Sequence, residues 1–94
     1  GSLLKAKVSI PTPLRPSAGG QAIVEGTGAT VGEVLADVGQ QYPDLAKRLF
    51  AAEGQLHQYV NVYVNDEDIR FMEDLDTPVK EADEIGIIPA IAGG

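Results

Sequence analysis

Cysteine is absent from the 94-residue sequence, and this excludes a whole group of chemistries. Without a thiol the chain can form no disulfide, bind no metal through thiolates and offer no cysteine nucleophile. Histidine occurs once, as His57, between Leu56 and Gln58 in a segment that the sequence indicates is a polar linker. We interpret His57 as a solvated side chain rather than as a catalytic base or a metal ligand.

Long apolar runs and an excess of positive charge are also missing. No stretch of the sequence approaches the roughly 20 apolar residues of a transmembrane helix. Fourteen Asp and Glu stand against seven Lys and Arg, a formal net charge of −7. Because such a surface repels phosphate backbones, we expect neither nucleic acid nor membrane as a partner. Proteins with basic grooves are therefore the expected partners. The expected location is the cytoplasm, because a chain without cysteine is compatible with its reducing conditions.

The length of the chain predicts a single domain. We interpret residues 1–2, Gly-Ser, as residues left over from expression, 3–90 as one folded domain and 91–94 as a flexible tail that ends in two glycines. Strands are predicted where apolar residues recur at every second position. They cover 3–10, 21–26, 59–65, 68–71 and 84–90.

The segments between these strands predict one main helix and several turns. The segment 11–20, with three prolines and two glycines, is predicted to be a loop. Thr30 and Glu33 form a capping box at the start of a helix. Pro43 disfavours helical geometry at Tyr42, so this helix should end there, with a shorter helical segment over 43–51.

This order of elements predicts an α+β protein with the β-grasp, ubiquitin-like fold. The expected architecture is a mixed sheet of about five strands with one main helix packed across one face. The first and last strands should lie side by side at the centre of the sheet as a parallel pair.

Two short motifs resemble ligand-binding sequences without meeting their requirements. GTGATV (26–31) lacks the third glycine of a dinucleotide fingerprint and is not followed by a βαβ unit. We interpret its glycines as residues that supply permissive backbone angles at a strand-to-helix turn. NDED (65–68) has Arg70 where a calcium-binding loop needs glycine, so a hairpin turn is expected there.

The end of the sequence, IIPAIAGG (87–94), is the candidate functional segment. An extended chain from Pro89 to Gly94 spans roughly 20 Å, enough to reach into the active site of another protein. Glycines can thread a narrow channel and leave the terminal carbonyl carbon accessible. Outward-facing residues of the sheet and the start of the tail form the candidate partner surface: Tyr59, Tyr63, Ile88, Ile91 and Ala92.

The chain resembles the ubiquitin-like sulfur carriers of the MoaD and ThiS family over nearly its whole length. The resemblance rests on VSIPTPLRP (8–16), LHQYVNVYVNDEDIRF (56–71) and IPAIAGG (88–94). It implies a carrier rather than an enzyme, with Gly94 as the reacting residue and Gly93 beside it. A ubiquitin-activating-like adenylyltransferase and sulfurtransferase would adenylate the Gly94 carboxylate with ATP and convert it to a thiocarboxylate.

Within that family the chain looks most like the branch that serves actinobacterial cysteine biosynthesis. The resemblance implies two more partners there. A PLP-dependent cysteine synthase would let the thiocarboxylate attack an aminoacrylate formed from O-phosphoserine, and a zinc metalloprotease would release cysteine. The carrier itself would bind no cofactor and no metal, since ATP is used by the activating enzyme.

Three other functions remain open from the sequence. The sulfur could go to molybdopterin or to the thiazole of thiamin instead of to cysteine. An activated Gly94 could also be joined to lysines of target proteins, which would make the chain a ubiquitin-like modifier. Without chemistry at its end, the chain would be a plain binding module.

Overall fold

A computed structural model of the chain describes residues 5–52, 55–58 and 60–89. The strands are β1 (Lys5–Ser9), β2 (Ile23–Thr27), β3 (Phe50–Ala52), β4 (Gln55–Leu56), β5 (Val60–Val64), β6 (Glu67–Asp68) and β7 (Glu84–Pro89). The α-helices are α1 (Val31–Gln41) and α2 (Pro43–Leu49). Short 3₁₀ helices lie at Thr12–Ala18, Ile69–Phe71 and Asp74–Asp76.

Five of the strands form one mixed sheet in the order β2-β1-β7-β5-β6. β1 and β7 are parallel neighbours, with Val8 beside Ile85, and the other pairs are antiparallel. β3 and β4 form a separate two-stranded ribbon. With α1 against one face, this arrangement confirms the predicted β-grasp fold and its central parallel pair.

Alternation along the strands decides which side chains enter the core. The inward positions of the four longer strands are all buried: Ala6, Val8, Val24, Val60, Val62, Val64, Ile85 and Ile87. They pack in one cluster with the apolar stripe of α1, formed by Val31, Val34, Leu35 and Val38. The predicted helix boundaries are confirmed, because Thr30 Oγ1 accepts a hydrogen bond from Glu33 N at 3.2 Å and Tyr42 closes the helix.

Three predicted segments are wrong in detail. The predicted loop 11–20 contains the 3₁₀ helix Thr12–Ala18, which has Pro13 in its first turn, where the fixed φ of proline is already near helical values. The predicted strand 68–71 is paired only at Asp68, whose carboxylate accepts a hydrogen bond from Arg70 N at 2.9 Å and turns the chain into a 3₁₀ helix. Helix α2 ends at Leu49 rather than at residue 51, because β3 begins at Phe50.

The glycines of GTGATV serve close packing rather than unusual backbone angles. Neither Gly26 nor Gly28 has a positive φ. A Cβ atom on Gly26 would lie 2.7 Å from the carbonyl oxygen of Val34, and one on Gly28 would lie 2.6 Å from Cβ of Glu33. The missing side chains therefore let α1 approach β2, and the interpretation of permissive angles is wrong.

Two side chains of α1 cover the open edge of β2. Asp37 Oδ2 accepts a hydrogen bond from the backbone N–H of Thr27 at 2.9 Å. Gln41 Nε2 donates to the carbonyl oxygen of Glu25 at 3.0 Å and to Asp37 Oδ2 at 3.1 Å. Unpaired backbone groups on an edge strand invite pairing with another chain. The Asp37–Gln41 pair satisfies two such groups from within the same molecule.

Replacement of Gly26 by alanine tests the contact between α1 and β2. Because the new Cβ would overlap helix backbone, Gly26→Ala should lower the free energy of unfolding by about 1–3 kcal/mol, as measured by urea denaturation. Gly86→Ala is the matched control, since Gly86 also lies in a strand of the sheet and has nothing within 4 Å of an added Cβ. Equal stability of the two variants would contradict this account of Gly26.

Removal of the Asp37–Gln41 pair tests the protection of the β2 edge. The double variant Asp37→Ala, Gln41→Ala should self-associate in sedimentation velocity at concentrations where the wild type does not, because two backbone groups are released for pairing. Gln40→Ala, on the same helix, should sediment like the wild type. A double variant that sediments like the wild type would show that these bonds do not protect the edge.

Candidate functional site

The predicted site residues divide into those that the structure describes and those that it does not. Tyr63 on β5 and Ile88 on β7 are described. The other predicted site residues lie outside the described part of the chain: Tyr59, Ile91, Ala92, Gly93 and Gly94. The site can therefore be built from the outer face of the sheet, up to Pro89 at the end of β7.

Both described residues lie on the outer face of the sheet, opposite α1. Ile85 and Ile87 are buried, so alternation places Gly86 and Ile88 on the outer face. Ile88 is 52% exposed, as its predicted outward position in the strand requires. Tyr63 is half-buried and pairs with Gly86 rather than with Ile88, whose cross-strand partner is Asn61.

A depression of about 580 Å³ lies over Gly86. Its lining side chains come from three strands and one turn: Ser9, Tyr63, Asn65, Asp66, Glu84 and Ile88. Ser9 on β1 and Tyr63 on β5 are the cross-strand neighbours of Gly86 on either side. Since neighbouring strands lie about 4.8 Å apart, these two residues bracket a gap roughly 10 Å wide at the backbone. Sequence reasoning missed this depression, because an absent side chain has no periodic signature.

Other exposed apolar residues were also missed by sequence reasoning. Ile23 on β2 is 54% exposed and pairs with Ser9, so it is a further exposed apolar residue on the outer face. Phe71 and Met72 are exposed where the chain leaves β6 at the edge of the sheet. Exposed apolar side chains on one face are typical of a protein–protein contact surface, and Ile23 and Ile88 share the outer face.

Charged residues near the hairpin β5–β6 are held in defined positions. Asp68 is buried, and Arg70 Nη2 lies 2.7 Å from its Oδ2. The hydrogen bond from the Arg70 side chain, aided by the Arg70 backbone N–H, holds the pKa of Asp68 below its ordinary value. At the tip of the hairpin, Asn65 and Asp66 have φ angles of 51° and 72°, as expected for a two-residue hairpin turn.

Neither a membrane-spanning helix nor a metal site occurs in the described segments. None of the helices there is both long and apolar enough to cross a bilayer. The same segments contain no group of three or more histidine and carboxylate side chains placed to hold a metal ion.

Comparison with known proteins identifies the family. A family model described as the ThiS family matches residues 8–94. The chain belongs to the ThiS family. The sequence of this ThiS-family chain is 45% identical over 93 residues to the sulfur carrier protein CysO of Mycobacterium tuberculosis, which covers 97% of the chain and all of the relative.

Two solved structures are similar to this ThiS-family chain over most of its length. One is the crystal structure of the Amycolatopsis orientalis BexX/CysO complex, with 47% identity, a TM-score of 0.85 and coverage of 95% of this chain and 99% of that one. The other is the solution structure of the small archaeal modifier protein 1 from Methanosarcina acetivorans, with 32% identity, a TM-score of 0.88 and full coverage of both chains. These likenesses confirm both the predicted fold and the resemblance to the MoaD and ThiS carriers.

Neighbouring isoleucines on β7 test the division between the two faces. Ile87→Ala should lower the free energy of unfolding by about 2–5 kcal/mol, because it leaves a cavity in the core. Ile88→Ala removes the same atoms from the exposed face and should change stability by no more than about 0.5 kcal/mol. Thermal or urea denaturation measures both, and a loss at Ile88 as large as that at Ile87 would contradict the assignment of Ile88 to the outer face.

Proposed function

We propose that the chain is a sulfur carrier whose Gly94 carboxylate is adenylated and then converted to a thiocarboxylate by a partner enzyme that uses ATP. The observation that carries this proposal is the 45% identity to a protein named as a sulfur carrier, over 97% of the chain. The match to the ThiS family model also extends to Gly94.

The chemistry of a free carboxyl terminus supports this division of labour. A terminal carboxylate has a reference pKa of about 3.5, so at neutral pH it is ionised and a poor electrophile. Adenylation makes AMP a leaving group. A sulfur nucleophile then attacks the carbonyl carbon, the C–O bond to AMP breaks and a C–S bond forms. With no cysteine in the chain, the terminus is the place where nucleophilic sulfur can be carried, because Met72 is a thioether.

We further propose cysteine synthesis in the cytoplasm as the destination of the sulfur. In this scheme the thiocarboxylate adds to an aminoacrylate held by a PLP-dependent synthase that uses O-phosphoserine, and a zinc metalloprotease frees the cysteine. The support is the higher identity to CysO than to the modifier proteins.

The outer face of the sheet is proposed as the surface that docks on the activating enzyme. Ile88 is exposed on this face, and Tyr63 lies on the neighbouring strand opposite Gly86, two residues before Ile88. Strand β7 ends at Pro89, where the chain continues into the tail. A relative of this family has been crystallised as a complex with another protein, which supports a partner-dependent role.

A direct test is thiocarboxylation in vitro. The chain is incubated with ATP, a sulfide source and the activating enzyme encoded by the same organism, and its intact mass is followed. Replacement of one oxygen by sulfur, located at Gly94 by fragmentation, is the expected product. Gly94→Ala should slow the reaction about 100-fold, because a side chain at the reacting residue misplaces the carboxylate, while the melting temperature stays unchanged.

The control for this experiment is Ala36→Gly, on the exposed side of α1, which should be thiocarboxylated at the wild-type rate. A Gly94→Ala variant that reacts as fast as the wild type would rule out Gly94 as the reacting residue. A wild-type chain that gains no sulfur in the complete reaction would contradict the sulfur-carrier function.

Protein modification is a second candidate, favoured by the full-length similarity to a small archaeal modifier protein. Both functions need an activated terminus, and they differ in the acceptor. An antibody against the chain should detect a ladder of conjugates in cells if lysines are modified. A single band, together with a cysteine adduct on the carrier, would favour the cysteine pathway.

A further inference from the structure

The depression over Gly86, described above, has the shape and charge of a socket for one basic side chain. We propose that it receives an arginine of the activating enzyme that acts on the tail. This inference rests on the proposed function and adds to it a specific contact between carrier and partner.

The shape of the depression comes from the missing side chain of Gly86. A Cβ built on Gly86 has no atom within 4 Å, so the space above this part of β7 is open. Ser9 and Tyr63 bracket it from the two neighbouring strands, and Ile88 bounds it along β7. The depression therefore follows β7 from Ile88 to Glu84, a path along which the stem of an extended side chain can lie.

The charge comes from two carboxylates at the other end of the depression. Glu84 lies two residues from Gly86 along β7, about 7 Å away, and Asp66 lies in the adjacent hairpin turn. Within the described part of the chain, neither carboxylate makes an ion pair or accepts a hydrogen bond. Lys7 is the cross-strand neighbour of Glu84, but it also pairs with Glu25 on its other side.

This acidic end is held in place by hydrogen bonds of its neighbours. Asn65 Oδ1 accepts a hydrogen bond from the backbone N–H of Glu84 at 3.1 Å. Asn65 Nδ2 donates to Asp83 Oδ1, also at 3.1 Å. The turn that carries Asp66 is thereby tied to the start of β7, which fixes the backbone from which the two carboxylates project.

Arginine matches each part of the socket. Its apolar stem fits beside Ile88 and over Gly86, and its flat guanidinium group suits both the ring of Tyr63 and the carboxylates beyond it. An apolar side chain would bury the carboxylates without a counter-charge, which is costly. An acidic side chain would be repelled by Glu84 and Asp66. The net charge of −7 further favours a basic surface on the enzyme.

The test is the KM for the carrier in the thiocarboxylation reaction, measured with the cognate activating enzyme at low and high salt. Glu84→Gln and Asp66→Asn keep the shape and remove one charge each, and each should raise KM roughly 10-fold at low salt. Gly86→Leu fills the depression and should raise KM at both salt concentrations. The effect of the charge variants should shrink as salt is added, because ions screen the pair.

Asp44→Asn is the matched control, since it removes one charge from α2, on an exposed site away from the depression. It should leave KM near the wild-type value. If Glu84→Gln and Asp44→Asn have the same KM, or if Gly86→Leu is activated with the wild-type KM, the socket is overturned. Failure of the wild type to gain sulfur would instead overturn the proposed function, so the two failures are distinguishable. Urea denaturation of each variant separates a raised KM caused by the lost contact from one caused by unfolding.

Discussion

β7 is hydrogen-bonded along both edges, to β1 in parallel and to β5 in antiparallel orientation. Pairing on both sides fixes the direction and register of the strand, and a shift by one residue would reverse every side chain. Ile85 and Ile87 must therefore enter the core, which leaves Gly86 and Ile88 on the outer face. One set of residues on this strand therefore stabilises the core, and the other set lies on the exposed face that we propose as the docking surface.

The elements predicted correctly from the sequence are those that bury one face over several residues and so show a regular pattern of apolar residues. β1, β5, β7 and α1 each bury one face, so apolar residues recur at the period of a strand or a helix. β3 and β4 contain three and two residues, too few for a period to be visible. The prediction of a strand over 68–71 was wrong because the Asp68 carboxylate accepts a hydrogen bond from the backbone N–H of Arg70. This local bond competes with strand pairing.

The sequence predicted the outer face of the sheet only where a large side chain stands at an outward position of a strand. Alternation correctly placed Tyr63 and Ile88 on the outer face. It did not show that Tyr63 pairs with Gly86 and Ile88 with Asn61. The depression depends on a glycine and on two carboxylates, Asp66 and Glu84, that are far apart in sequence and meet through the register of β5 and β7. The role of Gly26 was equally hidden, since it depends on the distance to α1 rather than on any local pattern.

The parallel pairing of β1 with β7 also has a mechanical consequence. If a partner enzyme holds the tail, as proposed, any pulling force acts at the carboxyl end of β7. The hydrogen bonds to β1 and β5 run across the direction of that force, so they are loaded in shear and all together. A hairpin pulled open from one end would instead lose its bonds one after another. A force along β7 would therefore be resisted by the hydrogen bonds on both edges of the strand at once.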